Sequence, residues 1–134
     1  LVLDADALNL LKDRIPNLKA HTGQVMLTPH LGELARISGI SPGEWKKNPL
    51  NLTKRLAKEL SAVLICKDAR TVISTPKGET YINLSGNDGL ATAGSGDVLT
   101  GILLGLLQPV TGRQTRLEKP HFWQVTLYKA QENF

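Results

Sequence analysis

Residues 87–97 read NDGLATAGSGD, and the apolar run 98–107 (VLTGILLGLL) follows them directly. Gly94 and Gly96 can adopt backbone angles denied to other residues, so an anion can approach the main-chain N–H groups without meeting a Cβ. The first N–H groups of a helix lack internal partners and lie at the positive end of its dipole. The stretch therefore predicts an anion-binding loop that leads into a buried helix, with Gly94, Ser95 and Gly96 presenting N–H groups to a phosphoryl group.

Asp97 is the residue of this loop that can carry chemistry. A carboxylate in the first turn of a helix favours helix formation by itself, and Gly, Ser and Asp are also ordinary turn and capping residues. Beside a phosphate-binding loop, the same carboxylate can accept a proton from a hydroxyl group that is about to react. The residues alone leave both interpretations open.

Upstream of this loop, short apolar runs alternate with segments of helical periodicity. The predicted strands are residues 1–3, 25–27, 63–66, 70–74 and 79–82. A loop with a short helix is predicted at 4–14 and helices at 32–37 and 50–60, with Ser41 as an N-cap and 75–78 as a hairpin turn. Strands joined by helical crossovers predict an α/β fold, with a mainly parallel sheet flanked by helices.

In an open parallel sheet, ligands bind beyond the carboxyl ends of the strands. The residues that directly follow the predicted strands are Asp4 with Asp6, residues 28–33 and residues 67–71. We expect all of them to face one edge together with the anion loop. Asp4 and Asp6 carry oxygen ligands of the kind that Mg²⁺ takes, but alternate carboxylates in a loop are equally often turn formers, so the metal ligands stay unassigned.

Two residues at this edge have a binding interpretation and a structural one. His30 follows a proline that fixes the chain direction, so its ring can be held toward a substrate as a donor, or it can bond locally to a backbone carbonyl. Lys67 follows a buried strand and can reach a nucleotide phosphate as a mobile charge, or it can be a solvated charge at a strand end. The sequence does not decide between these alternatives.

Three segments together resemble one branch of a known superfamily. Residues 1–9 (LVLDADALN), 25–33 (VMLTPHLGE) and 87–107 are similar, in order and spacing, to motifs of the NAD(P)H-hydrate dehydratases within the ribokinase-like superfamily. The resemblance implies a ribokinase-like fold of which this chain carries only the C-terminal half, so the sheet is expected to be incomplete. Residues 1–108 are expected to form the C-terminal part of the dehydratase domain, and residues 109–134 a divergent tail.

The resemblance also implies an activity and a set of site residues. It implies ADP- or ATP-dependent dehydration of NAD(P)H hydrate back to NAD(P)H, a metabolite repair reaction, with Mg²⁺ on the phosphates. Asp97 is then expected to be the catalytic base and to bind the substrate together with His30. The nucleotide is expected to bind at Lys67, Asp68, Ala69, Arg70, Thr71, Gly94, Ser95 and Gly96.

Asp68 departs from the lysine, glycine, alanine pattern of these enzymes. Its carboxylate lies where an anionic nucleotide is expected, which predicts weaker binding, and a positive φ at this residue would add backbone strain. The alternatives to a dehydratase are a catalytically impaired nucleotide-binding fragment and a related small-molecule kinase. The segment 28–30 and the lead-in 87–91 favour the dehydratase, whereas Asp68 and the divergent tail favour the fragment.

The charge, the length of the apolar runs and the cysteine content limit which kinds of partner and which compartment we expect. The net charge of +4 is spread along the chain, and its densest cluster, at residues 46–58, lies where a helix presents a solvated face. We therefore expect no nucleic-acid partner. The apolar run 98–107 is too short for a bilayer, which needs about 20 residues, so we expect no membrane partner. The single cysteine, Cys66, fits a reducing compartment such as the cytoplasm, or an organelle if a targeting segment precedes this sequence, and the resemblance leaves a homo-oligomer open.

Overall fold

The computed structural model describes residues 1–11, 13–21, 24–83, 101 and 105 of the 134-residue chain. In this part, one sheet has the spatial order β1-β2-β3-β4-β5. Its strands are β1 (Val2–Leu3), β2 (Met26–Leu27), β3 (Val63–Cys66), β4 (Thr71–Ser74) and β5 (Thr80–Asn83). The helices are α1 (Asp6–Leu11), α2 (Ile15–Lys19), α3 (Leu31–Ser38), α4 (Pro42–Lys47) and α5 (Pro49–Leu60).

The sheet combines a parallel part with a hairpin. Strands β1, β2 and β3 run parallel, with Met26 opposite Val2 on one side and opposite Val63 on the other. Strand β4 pairs antiparallel with β3, and β5 pairs antiparallel with β4. The α/β class, the parallel strands and the hairpin are confirmed. Because parallel neighbours place their carboxyl ends at the same edge, β1, β2 and β3 all end on one side of the molecule.

Both faces of the sheet are buried at the central strands β2 and β3. Successive side chains of a strand point to opposite faces, so Leu27, Leu64 and Cys66 share one face. They belong to the core cluster that includes buried residues of all five helices. On the opposite face, Met26 and Ile65 are also fully buried. The burial of both faces explains why β2 and β3 read as continuous apolar runs, and it confirms the prediction that Cys66 lies in a central strand.

Local signals set the boundaries of the helices. Ser41 caps α4 as predicted, because its Oγ accepts a hydrogen bond from the backbone N–H of Glu44. Pro49 divides α4 from α5, since the residue before a proline avoids helical angles, and Asn48 has φ −148° and ψ 59°. Helix α2 was not predicted. It has five residues and a proline in its first turn, which is too short for a periodic apolar pattern.

The predicted helix at 98–107 is described only at Gly101 and Gly105. Both residues are helical, as predicted, and both are exposed, so the helix is not enclosed at these two positions. The anion loop at 87–97 and the tail at 109–134 lie outside the described residues. Within the described ranges, no helix combines the length and the apolar character that crossing a membrane requires.

Candidate functional site

The carboxyl ends of β1, β2 and β3 bring three predicted segments together. Asp4 follows β1, His30 lies shortly after β2, and Lys67 follows β3. The backbone N–H of Lys67 donates to the carbonyl of Pro29 at 2.8 Å, and His30 and Lys67 form a parallel bridge beyond the ends of the strands. The Lys67 Nζ atom lies 2.9 Å from Asp4 Oδ1. The expected edge is therefore confirmed for these three residues.

Asp4 and Lys67 form an ion pair in a largely enclosed position. The Asp4 side chain is 13% exposed and the Lys67 side chain 28%. Burial by itself raises the pKa of Asp4, but hydrogen bonds from the Lys67 and Thr28 side chains and the positive charge of Lys67 outweigh it and lower the pKa below its ordinary value. The carboxylate is ionised at neutral pH, and it holds the lysine ammonium at the edge of the sheet.

The turn after Asp4 has an unusual backbone. Ala5 has φ +46°, a region that costs residues with a Cβ about 1–2 kcal/mol. Asp6, the next residue, is exposed, and its Oδ1 accepts a long hydrogen bond of 3.5 Å from Asn9 Nδ2. Among the described residues, no three His, Cys, Asp or Glu side chains lie close enough together to hold a metal ion. Within the described part of the chain, Asp4 and Asp6 thus belong to no such cluster, and the metal ligands stay unassigned.

His30 caps the N-terminus of α3 with its side chain. Its Nδ1 atom accepts hydrogen bonds from the backbone N–H groups of Gly32 at 2.9 Å and Glu33 at 3.3 Å. The local partners are thus N–H donors rather than the backbone carbonyl considered in the sequence analysis. Because Nδ1 accepts, the proton of the neutral ring is on Nε2, so the ring can donate from that atom. The side chain is 54% exposed, which leaves it accessible to a ligand.

Glu33 lies in the segment 28–33 that was predicted at this edge, but no role was predicted for its side chain. It is buried, its Oε2 accepts from the backbone N–H of His30 at 2.9 Å, and its Oε1 lies 3.3 Å from His30 Nε2. Together the two residues make a capping box, in which cap and third helical residue satisfy each other's backbone N–H. The pattern is readable in the sequence, because a cap residue followed three positions later by Glu is the usual signature. The unusual feature is that the cap residue is a histidine.

The predicted nucleotide segment 67–71 connects β3 to β4. Asp68, Ala69 and Arg70 are exposed and lie in a bend, and Thr71 begins β4. Among the described residues, Ala5 and Ser61 are the non-glycine residues with positive φ, so the backbone strain considered for Asp68 does not arise. Gly94, Ser95, Gly96 and Asp97 lie outside the described residues, and their roles stay predictions.

The sequence itself matches a known family. The sequence profile of the NAD(P)H-hydrate dehydratases matches residues 1–117. The chain belongs to the NAD(P)H-hydrate dehydratase family. A bifunctional NAD(P)H-hydrate repair enzyme of Moorella thermoacetica is 50% identical over 105 residues, which are 78% of this chain and 20% of that enzyme. The resemblance stated from the three motifs is confirmed.

Solved structures of dehydratase and ribokinase-like proteins have the same fold. An ADP/ATP-dependent NAD(P)H-hydrate dehydratase of Bacillus subtilis, co-crystallised with ATP and Mg²⁺, superposes with a TM-score of 0.66 at 28% identity over 98% of this chain and 54% of that one. A ribokinase-like superfamily protein of Enterococcus faecalis gives a TM-score of 0.66 at 33% identity over 80% of this chain and 36% of that one. The ribokinase-like fold is confirmed, and this chain spans between a fifth and about half of the length of these proteins.

Proposed function

We propose that this chain forms part of a site that dehydrates NAD(P)H hydrate at the expense of ADP or ATP. The observation that carries the proposal is the shared edge of the sheet, where Asp4, His30 and Lys67 converge in a chain whose family match spans residues 1–117. A cation and a hydrogen-bond donor at this edge suit a phosphorylated nucleotide and a polar substrate.

The nucleotide side of the site begins at Lys67. Its ammonium group is fixed at the end of β3 and attracts the phosphates, while the exposed bend 68–70 and Thr71 lie next to it along the chain. Asp68 places a carboxylate in this bend, which weakens nucleotide binding by repulsion. The backbone N–H groups of residues 94–96 then hold the charge that builds on the transferring phosphoryl group.

The chemical step combines phosphoryl transfer with elimination. Asp97 accepts the proton of the ring hydroxyl while the hydroxyl oxygen attacks the terminal phosphorus, and the bond from that phosphorus to the nucleotide breaks. The C–O bond at the carbon next to the ring nitrogen then breaks and the phosphate leaves. Water accepts a proton from the neighbouring carbon, and the electrons of that C–H bond restore the ring double bond. His30 donates from Nε2 to the substrate and fixes its orientation.

The described residues do not supply a cage for Mg²⁺. The near oxygen of Asp4 is engaged by Lys67, and the described part of the chain holds no cluster of metal-binding side chains. Mg²⁺ usually keeps several waters and is bound through substrate phosphates, so it enters this site with the nucleotide, as the Bacillus subtilis enzyme was crystallised with ATP and Mg²⁺. We assign it no protein ligand and no step of the reaction.

The buried free thiol of Cys66 is compatible with the cytoplasm, where cysteines stay reduced. We therefore propose the cytoplasm as the compartment of the reaction, or an organelle if a targeting segment precedes this sequence. Homo-oligomer formation and the absence of nucleic-acid and membrane partners stay predictions from the sequence.

The proposal is tested by the return of dihydropyridine absorbance when the natural protein that contains this chain is mixed with NADH hydrate, nucleotide and Mg²⁺. We expect Asp97→Asn to lower turnover by about 10²–10⁴-fold, because the general base is lost, and to leave nucleotide binding within about twofold. Turnover and nucleotide binding are measured on the same samples. Asp13→Asn, which removes an exposed acid outside the predicted site, is the matched control.

Three outcomes contradict the proposal. Phosphorylation of the hydrate without return of the dihydropyridine identifies a kinase, and nucleotide binding without nucleotide consumption identifies a fragment that does not catalyse. Undiminished turnover in Asp97→Asn refutes the assignment of the base.

A further inference from the structure

The first turn of α3 makes more contacts with the His30 ring than helix capping requires. Capping needs one side-chain acceptor for the free N–H groups, and Ser41 fulfils that need for α4 with a single hydroxyl. At α3 the same position carries a half-exposed imidazole that contacts Gly32 and Glu33 through several atoms. We propose that Gly32 and Glu33 are positioning residues that hold the His30 ring in one tautomer and one orientation for the substrate, an inference that rests on the proposed function.

The first restraint is the tautomer. With Nδ1 accepting from two backbone N–H groups, a proton on that atom would face two donors. The neutral ring therefore carries its proton on Nε2. The Oε1 atom of Glu33, 3.3 Å from Nε2, places a negative charge beside that proton and favours the same tautomer. A substrate oxygen meets a donor at Nε2, already formed before binding.

The second restraint is the anchoring of Glu33. Its carboxylate is buried, and Oε2 accepts the backbone N–H of His30 at 2.9 Å. One oxygen of the carboxylate is thus tied to the main chain of the histidine, and the other lies against its ring. The Glu33 carboxylate thus contacts both the backbone N–H and the ring of His30. If the ring rotated about its side-chain bonds, it would lose its contacts with Glu33 and with the backbone of α3.

The third restraint is the missing side chain at residue 32. A Cβ built on Gly32 lies 2.8 Å from His30 Cε1 and 3.2 Å from Nδ1, so any other residue here pushes the ring away. Gly43 occupies the equivalent position of α4, the second residue of the helix, and nothing lies within 4 Å of a Cβ built there. Gly32 is therefore needed to leave space for the His30 ring, whereas glycine at the same position of α4 is not needed for space.

The matched pair Gly32→Ala and Gly43→Ala tests this proposal in the natural protein that contains this chain. Both changes replace glycine by a better helix former, so both variants are expected to fold. We expect Gly32→Ala to raise the KM for NADH hydrate by about tenfold, the effect of one misplaced hydrogen bond, with the nucleotide KM unchanged. Gly43→Ala is expected to leave both KM values unchanged.

Glu33→Gln, with Glu44→Gln as its control, tests the carboxylate. The amide oxygen can still accept the backbone N–H of His30, so the cap survives, but the charge beside Nε2 is lost. We expect a KM increase for the hydrate of the same order as for Gly32→Ala, and a changed pattern of the His30 ring nitrogens in long-range ¹H–¹⁵N NMR spectra. In a His30→Ala background, Glu33→Gln is expected to have no further effect on the KM, because the residue that it positions is gone.

The NMR measurement keeps this inference separable from the proposed function. If the unaltered protein lacks dehydratase activity, the proposed function fails, while the ring nitrogens still report on positioning. Unchanged ring-nitrogen signals in both Gly32→Ala and Glu33→Gln overturn the positioning role, whatever the activity. Equal hydrate KM values for Gly32→Ala and Gly43→Ala in an active enzyme overturn it as well.

Discussion

At the scale of single residues, burial decides what the one cysteine can do. Cys66 lies in the central strand β3 and is 2% exposed. Burial raises the pKa of its thiol to about 12, although a hydrogen bond with Thr53 acts in the opposite direction. The thiol therefore behaves as a small apolar side chain in the core rather than as a nucleophile.

Native Cys66 is expected to resist alkylation. The rise of the thiol pKa from 9.0 to about 12 lowers the thiolate fraction at pH 8 by about a thousandfold, since each pKa unit is a factor of ten. Labelling with iodoacetamide, followed by mass spectrometry, measures the rate in the folded protein and in denaturant. Rapid native labelling at Cys66 would show that the strand is accessible and that the core is not packed as described.

Lys67 shows how a residue-scale interpretation changes with its surroundings. In sequence, it is a charge after an apolar strand, and both a solvated end and a mobile phosphate ligand are consistent with that position. In the structure, its ammonium group is 2.9 Å from Asp4 Oδ1 and partly enclosed. It is therefore held in place by the protein itself, and in the proposed site this reduces the entropy lost when a nucleotide binds.

At the scale of elements, the β4–β5 hairpin depends on one glycine. Gly78 has φ +91° in the turn between the strands, a conformation that residues with a Cβ rarely adopt. A Cβ at this position also meets Lys58 Cε at 2.7 Å and Lys54 Cε at 3.0 Å. The two lysine atoms are the far ends of flexible side chains on α5, so the backbone angle is the larger obstacle.

Gly78→Ala is expected to destabilise the protein by about 1–2 kcal/mol, because of the backbone angle rather than the contact with the lysines. Gly39→Ala is the matched control, since Gly39 has φ +73° and an added Cβ there meets nothing within 4 Å. We expect urea unfolding to show a similar loss in the free energy of unfolding for the two variants. If adding Lys58→Ala to Gly78→Ala restored the free energy of unfolding, the steric contact with Lys58 would be the main cause of the loss instead.

Helix elements follow the sequence where their signals are local. The capping serine of α4, the proline that begins α5 and the apolar positions of α5 are all present in the sequence, and the structure has the helices there. Helix α2 was not predicted, because five residues are too few to show the apolar periodicity of a helix. The left-handed backbone conformation of Ala5 was not predicted either, since no local sequence signal favours a positive φ at an alanine.

At the scale of the whole molecule, one ion pair ties the first strand to the third. Asp4 and Lys67 are 63 residues apart in sequence, and their side chains meet at the carboxyl edge of the sheet. Asp4 is the group whose pKa is lowered from its ordinary 3.8, so the pair stabilises the folded state fully above about pH 4. That contribution is lost as the pH falls through the lowered pKa of the folded protein.

Asp4→Asn is expected to cost about 1–3 kcal/mol at pH 7, because it leaves the partly buried Lys67 without its anion. Urea unfolding at pH 7, 5 and 3 measures the loss, and the difference from the unaltered protein is expected to shrink at pH 3. Asp68→Asn removes an exposed carboxylate nearby and is expected to change stability by less than about 0.5 kcal/mol. A constant difference between Asp4→Asn and the unaltered protein at all three pH values would contradict this account.

The sequence by itself determined the α/β class, most elements, the family and the edge at which Asp4, His30 and Lys67 lie. These follow from apolar periods, turn residues and short motifs, which are local properties of the chain. The boundary between residues 108 and 109 and the roles of residues 94–97 stay predictions.

Only the tertiary structure decided which side chains meet at that edge. The Asp4–Lys67 pair depends on the parallel register that aligns β1, β2 and β3, and no local signal specifies a partner 63 residues away. The contacts of His30 with Gly32 and Glu33 depend on side-chain orientation at the start of α3. Periodicity places residues on elements and edges, but distances of about 3 Å between side chains are set by packing and register.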